Sequence, residues 1–394
     1  MEKRNNIRTG GLFAILSILL LTNCTVTKIG PAIWNVECDF SKISDVNDSG
    51  IITDVNIVSL QDTSVYLNEI NKIAILDTIV YLLDKEKNSL YVFTNNGKYI
   101  HTISDQGHGA NEYLMLSDFC IDKKKQTINV LSRLDKKIFI YDKFGKNLIE
   151  VKALPKQFFK IEKRKEGYIG YMGNYTADEQ FPYNYWLMDE NFSIIGQFGE
   201  INTNLESRVS NNLEPFSQYD GTLHVLSEFS RDVICLKDSD IQASTIYKYD
   251  FGKCNLPSLS SRDYADDRKM FEIKNTYIAN PIRFQETDRY ILSLVLYQGQ
   301  YKLIVYDKKK SMTEIVSLDA YTQKYLFSFG NVVYMNEKEI YTIIDAKNIY
   351  DVWIGYNEFN NFEKEYPSQV ENLRKDIKSV NADGNPFLVI YKIQ

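Results

Sequence analysis

Two stretches of the chain, residues 80–103 and 130–151, decide the fold. The first reads VYLLDKEKNSLYVFTNNGKYIHTI and the second reads VLSRLDKKIFIYDKFGKNLIEV. Gly97 of the first stretch lines up with Gly145 of the second, 48 residues later. In both, an apolar strand, a polar turn, a second alternating strand and a turn with glycine follow one another. Glycine suits such a turn because it adopts positive φ without strain. The two stretches therefore predict one repeated β-unit.

The unit recurs along the rest of the chain. Further copies cover residues 185–198, 224–247 and 290–318, and a sixth copy starts near residue 326 and resumes at 386–393. Alternation of Tyr, Phe, Val and Ile at a period of about 40 to 50 residues is typical of a β-propeller with one four-stranded blade per repeat. The sequence therefore predicts an all-β, six-bladed propeller as one domain, where length alone suggests two or three.

Blade six is short of one strand, and two insertions interrupt the repeats. Residues 51–60 (IITDVNIVSL) alternate, so we expect them to pair as the outer strand of blade six with residues 386–393. This closure would remove free sheet edges. The insertions cover residues 253–282 and 347–384, and the second contains apolar residues at helical spacing over 367–380. They are expected to cover one face of the ring, either as a lid over the channel or as packing at its mouth.

The N-terminus has the pattern of an export signal. Basic residues precede the apolar run at 12–21, which is too short for a stable membrane span, and Cys24 follows. The expected organisation is a lipoprotein signal peptide at 1–23, a tether at 24–49 and the propeller at 50–394. The stretch Leu-Thr-Asn-Cys resembles the bacterial lipobox, although Asn23 departs from its usual small residue. The alternative is an ordinary signal peptide with a chance cysteine.

The lipobox resemblance implies that Cys24 is the lipidated first residue of the mature chain. Thr25 follows it, and the sorting rule of diderm bacteria then implies the outer membrane. The expected location is therefore the cell envelope, with the protein lipid-anchored to the outer membrane and facing the periplasm. The 52 acidic residues outnumber the 46 basic ones, which argues against a nucleic-acid partner.

Export would place four further cysteines in an oxidising compartment. Cys120 and Cys235 alternate with apolar residues and are expected to be buried thiols, as is common for free cysteine. A bridge between Cys235 and Cys254 is left open.

Candidate ligand residues lie in loops that a propeller would place on one face. These loops cover 84–88, 132–136, 227–231, 298–300 and the link 106–113. The candidates for ligand binding are His108, Asn111, Glu112, Tyr113, Arg133, Glu228 and Arg231. The alternative for each is a solvated turn or a structural role. An acidic group in the first insertion (Asp263, Asp266, Asp267) lacks calcium-loop spacing. No catalytic motif appears, and no metal or cofactor is expected.

Three segments resemble the bacterial six-bladed β-propeller lipoproteins, which are related in pattern to NHL-repeat propellers. They are residues 67–84 (LNEINKIAILDTIVYLLD), 106–113 (QGHGANEY, similar to that family's G-x-G-x-x-E-Y loop) and 385–394 (NPFLVIYKIQ). Where the family loop usually carries Arg and Pro-Gly, this chain has His108 and Ala110-Asn111. The resemblance implies the fold and the envelope location more than any chemistry.

These observations favour a binding or scaffold protein over an enzyme. Its partner would be a glycan, a small molecule or an envelope protein. The alternative is a propeller hydrolase, lyase or lactonase that uses carboxylates in the channel, and the fold alone does not choose between them.

Overall fold

Six four-stranded blades form a β-propeller, as the repeat predicts, and two of the six sheets carry a fifth, outer strand. The computed structural model describes residues 33–60, 64–175, 182–201, 213–237, 240–318, 331–349 and 383–394, together with positions 364, 367 and 371. Residues 33–394 form one compact unit. The predicted signal peptide, Cys24 and most of the second insertion, with its predicted helix, lie outside the described residues.

Each of blades one to three consists of four strands that are consecutive in the chain. Blade one consists of β4 (Ile70–Leu76), β5 (Ile79–Asp84), β6 (Ser89–Thr94) and β7 (Tyr99–Ile103). Blade two consists of β8 (Leu116–Asp122), β9 (Thr127–Ser132), β10 (Lys137–Asp142) and β11 (Leu148–Ala153). Blade three consists of β12 (Lys160–Lys163), β13 (Tyr168–Tyr171), β14 (Tyr183–Met188) and β15 (Ile194–Glu200).

Blades four to six recruit strands from the N-terminal part of the chain. Blade four consists of β16 (Phe216–Tyr219), β17 (Thr222–Leu226), β18 (Asp232–Lys237) and β19 (Ser244–Asp250), with β1 (Trp34–Glu37) outside it. Blade five consists of β20 (Arg283–Glu286), β21 (Tyr290–Tyr297), β22 (Gln300–Asp307) and β23 (Met312–Ser317), with β2 (Ile43–Asp45) outside it. Blade six consists of β24 (Asn331–Met335), β25 (Glu339–Ile344), β26 (Phe387–Ile393) and β3 (Ile52–Ser59).

The predicted closure of the ring is confirmed. Strand β3 pairs antiparallel with β26, with Tyr391 opposite Val55. Asn385, just before β26, reinforces the seam: its amide nitrogen donates to the carbonyl of Leu60 at 3.0 Å, and its oxygen accepts from the amide of Leu67 at 2.8 Å. The two parts of blade six are thus tied both by a strand ladder and by one buried side chain.

The predicted tether at 24–49 needs a correction. From Trp34 onward this segment belongs to the propeller, because β1 pairs in parallel with β19 and β2 pairs in parallel with β23. A short helix, α1 (Val46–Ser49), leads into β3. The segment therefore runs along the outer edges of blades four and five before it closes blade six. Sequence reasoning missed it because strands of three or four residues give too short an alternation to detect.

The apolar core lies between neighbouring blades. For example, Tyr81 of blade one packs in one cluster with Phe119 and Phe139 of blade two, and all three side chains are fully buried. The predicted glycine turns are confirmed at Gly97 and Gly145, whose φ angles are 83° and 70°. A Cβ atom at Gly97 would lie 2.0 Å from the carbonyl oxygen of Ser59, so this turn also needs glycine for the contact between blades one and six.

The first insertion is helical. It contains a 3-10 turn (Gly252–Cys254), α2 (Ser261–Ala265) and α3 (Asp267–Thr276). Asp263 and Asp266 of the predicted acidic group cap these helices: Asp263 forms a capping box with Ser260, and Asp266 accepts from the amide of Lys269. Helix capping therefore explains two of the three aspartates, and the third, Asp267, is the first residue of α3.

Candidate functional site: the central channel

The innermost strand of each blade lines a central cavity of about 640 Å³. Since the first strand of every blade is innermost, all six repeats contribute to the lining. We name the two ends of the ring by their connections. The loop face carries the loops between second and third strands and the links between blades, and the turn face carries the turns between first and second strands.

The cavity opens to solvent at the turn face. Its rim there includes Lys123 and Lys124 after β8, Lys165 after β12 and Lys338 after β24, and all four side chains are exposed. This is the opposite end from the loop face, on which the sequence placed every candidate ligand residue.

Deeper in the channel, toward the loop face, buried charges form a first ion pair. The ammonium of Lys72 lies 2.9 Å from Asp118 and donates to the carbonyl oxygen of Phe119 at 2.9 Å. Burial alone would lower the pKa of Lys72, but the neighbouring carboxylates outweigh burial and raise this pKa. The other oxygen of Asp118 accepts from the backbone amide of Ile161 at 2.9 Å. Asp118 thus joins blades one, two and three.

A second ion pair lies beside the first. The ammonium of Lys160 contacts Glu214, whose second oxygen lies 4.0 Å from Lys72 and accepts no hydrogen bond from the described residues. Burial acts against the charge of Glu214, yet Lys160 and Lys72 lower its pKa. These four groups, Lys72, Asp118, Lys160 and Glu214, compensate one another at the inner end of the cavity.

Glu162 is the carboxylate of this region that lacks a lysine or arginine ion-pair partner among the described residues. One of its oxygens accepts from the side-chain amide of Gln218 at 3.3 Å and from the backbone amide of Lys163 at 3.2 Å. Burial raises the pKa of Glu162 to about 7, although Lys72 acts in the opposite direction. The cavity wall therefore holds a carboxyl group that changes charge near neutral pH.

Arg283, the first residue of β20, completes the charged lining. Its guanidinium makes no hydrogen bond and no ion pair within the described parts of the chain. Burial lowers the pKa of Arg283, and the charge of Glu214 acts in the opposite direction. Its donors are therefore not taken up by the described protein.

The loop 106–113, the most motif-like segment of the sequence, is built for its own structure. Tyr113 is fully buried, and its hydroxyl lies 3.0 Å from the carbonyl oxygen of Asn88 and 3.2 Å from that of Ile103. A carboxylate oxygen of Glu112 accepts from the amide of Gly109 at 2.8 Å and covers Gly107, where a Cβ atom would approach it to 2.0 Å. For Tyr113 the sequence prediction of a ligand residue is corrected: burial and hydrogen bonds assign it to the joint between blades one and two.

The remaining candidates lie on the loop face, as expected. His108 and Asn111 are exposed. The guanidinium of Arg133 stacks 3.5 Å from the ring centre of Phe159, Glu228 accepts from Asn174 at 3.1 Å, and Arg231 is partly exposed. Their role in ligand binding stays a prediction.

The first insertion also lies on the loop face. Tyr264 of α2 packs edge-on against Phe229 at 6.0 Å between ring centres, and Asn280 accepts from the backbone amide of Phe229 at 3.0 Å. The expectation that this insertion covers the face of the predicted loops is met for blade four.

The cysteines of the described residues are free thiols. Cys120 and Cys235 are buried and unpaired, as predicted, and Cys254 is also free, so the Cys235–Cys254 bridge is not formed. Within the described residues, no group of three His, Cys, Asp or Glu side chains is arranged to hold a metal ion. None of the helices in the described parts of the chain is both long and apolar enough to cross a membrane.

Residues 31–392 match the family model described as "Domain of unknown function (DUF4934)". The chain belongs to the DUF4934 family. No curated protein matches this DUF4934 chain.

Two solved structures share the fold of this DUF4934 protein. A "Putative exported protein" of Bacteroides fragilis NCTC 9343 is 16% identical, with a TM-score of 0.70, over 91% of this chain and 99% of that one. A member of the DUF4221 family from Bacteroides vulgatus ATCC 8482 is 10% identical, with a TM-score of 0.51, over 87% of this chain and 97% of that one. At these identities the likeness shows the fold alone.

Sequence reasoning missed the channel residues of this DUF4934 protein for an identifiable reason. Lys72, Asp118, Glu162 and Arg283 are spread over four blades and form no motif. One signal was readable: basic runs at 123–125 (Lys-Lys-Lys) and 163–165 (Lys-Arg-Lys) end the first strands of two consecutive repeats. Since first strands line the channel of a propeller, basic residues at matching repeat positions predict a basic mouth.

Proposed function

We propose that this protein is an exported, lipid-anchored β-propeller of the cell envelope that binds a ligand in its central channel. The observation that carries the proposal is the solvent-open cavity of about 640 Å³ that reaches buried, mutually compensating charges. Ligand pockets are typically about 300–1,000 Å³ in volume, mostly apolar in their lining, with a few placed polar groups.

Two observations support export and anchoring. The basic and apolar N-terminus with Leu-Thr-Asn-Cys fits a lipoprotein signal, with lipidation at Cys24 and the outer membrane, facing the periplasm, as the location. The relative from Bacteroides fragilis, described as exported, has the same fold.

The partner is a small molecule or a glycan in the channel, and an envelope protein is the further candidate for the loop face. Buried side chains lining the cavity support the first choice, because charged groups removed from water bind selectively. On the loop face, His108, Asn111, Glu112, Arg133, Glu228 and Arg231 remain candidate contacts for a larger partner.

The enzyme alternative draws little support from the channel. Hydrolases and lyases of this kind need carboxylates free to take or give protons. Three carboxylates do converge here, but Asp118 and Glu214 are held by lysines, which leaves Glu162 as the free one.

A blocked channel tests the binding proposal. Gln218 lines the cavity with an exposed side chain, so Gln218→Trp would fill it, whereas Gln197→Trp places the same bulk on the exposed outer strand of blade three. A thermal-shift screen with glycans, small acids, peptides and divalent cations should identify ligands that stabilise the wild-type protein. We expect Gln218→Trp to abolish the shift and Gln197→Trp to keep it. A ligand that binds both variants equally well would contradict binding in the channel.

Fractionation tests the anchor. The wild-type protein should sediment with membranes, and Cys24→Ser should be released to the soluble fraction or retain its signal peptide. Metabolic labelling with a fatty-acid analogue should mark the wild-type protein alone. Labelling of the Cys24→Ser variant, or a soluble wild-type protein, would contradict lipidation at Cys24.

A further inference from the structure

The lining of the central cavity is basic although the whole protein is acidic. The formal net charge of the chain is −6. Among the described residues that line the cavity, however, eight are Lys or Arg and five are Asp or Glu. The basic ones are Lys72, Lys123, Lys124, Lys163, Arg164, Lys165, Arg283 and Lys338. The cavity lining therefore carries three more positive than negative charges, although the protein as a whole is acidic.

Some of these basic groups are committed to the fold. Lys72 is paired with Asp118, and the ammonium of Lys163 lies 2.6 Å from Glu190 and 2.7 Å from the carbonyl oxygen of Arg164. Arg164 is buried and donates to the carbonyl oxygen of Asp240 at 2.8 Å. These three groups hold blades together, and their charge is largely compensated.

The other five basic side chains are not engaged by the described parts of the protein. Lys123, Lys124, Lys165 and Lys338 at the turn-face rim make no side-chain hydrogen bond and no ion pair within the described residues. The same is true of Arg283, deeper in the cavity. Against these five cations stand three lining carboxylates without an ion-pair partner among the described residues: Glu162, the exposed Glu337, and Glu339, which accepts from the hydroxyl of Tyr341. The available charge of the cavity is thus more positive than negative.

The two sets of free cations occupy different depths, which suggests different tasks. The rim lysines are exposed to solvent, so they attract an anion over a distance of about one Debye length. Arg283 is partly enclosed, and a guanidinium in such a place binds a carboxylate or phosphate with two parallel hydrogen bonds. An anion would therefore be drawn in at the turn face and fixed at the inner end.

We propose that the channel binds a small, multiply charged anion, carrying carboxylate, sulfate or phosphate groups, that enters at the turn face past Lys123, Lys124, Lys165 and Lys338 and contacts Arg283. This deepens the proposed function and rests on the channel being the binding site. The volume limits the enclosed part of the ligand to about the size of a disaccharide or a small polyacid.

A matched pair of ligands tests the charge class. Digalacturonate carries two carboxylates, and its dimethyl ester has nearly the same shape without charge. Calorimetric titration of the full chain at low ionic strength should show the acid binding at least about tenfold more tightly than the ester. Pyrophosphate, titrated in parallel, distinguishes a phosphate from a carboxylate preference. We expect binding of the preferred anion to weaken as salt is raised.

Two variants and one control locate the contacts. Arg283→Met should lower the affinity for the preferred anion about tenfold or more, and Arg283→Lys should lower it less. Lys123→Ser combined with Lys124→Ser changes only exposed groups, so it tests the rim even if Arg283→Met fails to fold. We expect it to weaken binding about threefold to tenfold and to flatten the salt dependence. Lys98→Ser combined with Lys146→Ser removes two exposed lysines away from the cavity and should leave the affinity unchanged.

The outcomes separate the two proposals. If the ester binds as well as the acid, or if only neutral ligands bind and Gln218→Trp abolishes their binding, the anion is wrong while the channel remains the site. If anions bind the wild-type protein and Gln218→Trp with equal affinity, the channel itself is wrong. If both lysine pairs reduce binding equally, the effect is one of overall charge, and the rim assignment is overturned.

Discussion

The loop 106–113 and the lining of the central channel differ in what their polar residues do. The loop has the appearance of a motif, but its glycines, Glu112 and Tyr113 contact one another and the adjacent strands. The channel residues form no motif, yet several of their charges lack a protein partner within the described residues. The motif-like spacing of the loop therefore reflects a tight connection between blades one and two, whereas the open site is formed by residues that only the ring brings together.

The largest effect on stability is expected at Tyr113 of the loop. Tyr113→Ala should lower the free energy of unfolding by about 3–5 kcal/mol, because it removes a fully buried aromatic side chain between blades one and two. Tyr113→Phe should cost only about 1 kcal/mol, the value of the lost hydroxyl hydrogen bond. Urea denaturation measures both. Ligand binding by the folded Tyr113→Phe protein should equal that of the wild type, and a loss there would return this loop to the list of candidate sites.

The buried ion pair of the channel should respond almost as strongly. Lys72→Met leaves Asp118 buried without its cation, which costs about 3 kcal/mol of stability. Combining it with Asp118→Leu should recover part of that loss, because the uncompensated charge is removed. Chemical denaturation of the two single variants and the double variant gives the coupling free energy between Lys72 and Asp118. Strictly additive losses would show that the pair does not act as a unit.

Glu162 distinguishes the channel by its pH dependence. The groups that face it are Lys72 of β4, Asp118 and Cys120 of β8, Lys163 of β12, Glu214 ahead of β16 and Tyr334 of β24. Burial raises its pKa in the folded protein from 4.5 to about 7. The folded state therefore favours the protonated form, so this contribution to stability is present below pH 4.5 and is lost as the pH rises through about 7.

Glu162→Gln should remove that loss. We expect the variant to gain stability over the wild type progressively between pH 5 and pH 8, measured by urea denaturation at one-unit intervals. Glu337→Gln, an exposed residue at the rim, is the matched control and should show a constant difference. Parallel curves for Glu162→Gln and the wild type would mean that this carboxyl is not desolvated.

The smallest effects are expected at the exposed end of the loop. His108→Ala and Asn111→Ala should each change stability by less than about 0.5 kcal/mol, since both side chains are exposed. If the channel is the site, neither changes the affinity for a ligand that Gln218→Trp excludes. A clear loss of affinity in His108→Ala would instead support the prediction made from the sequence.

The fold was predictable because a repeat averages over local errors. Residues 80–103 and 130–151 show the same alternation twice, and the missing strand of blade six pointed to residues 51–60, which do pair with β26. The short outer strands β1 and β2 were not predictable, since three or four residues carry too little pattern and their partners are fixed only by the completed edge of blades four and five.

By itself, the sequence determined the six-bladed ring, its closure and the burial of Cys120 and Cys235, because alternation and turn residues act over a few neighbouring positions. The tertiary structure alone decided which charges meet. Lys72, Glu162 and Arg283 come from first strands up to about two hundred residues apart, and they line one cavity only because the ring places every first strand on one axis. Asp118, from a fourth first strand, meets Lys72 for the same reason. Their pairing, their burial and the raised pKa of Glu162 are properties of that axis.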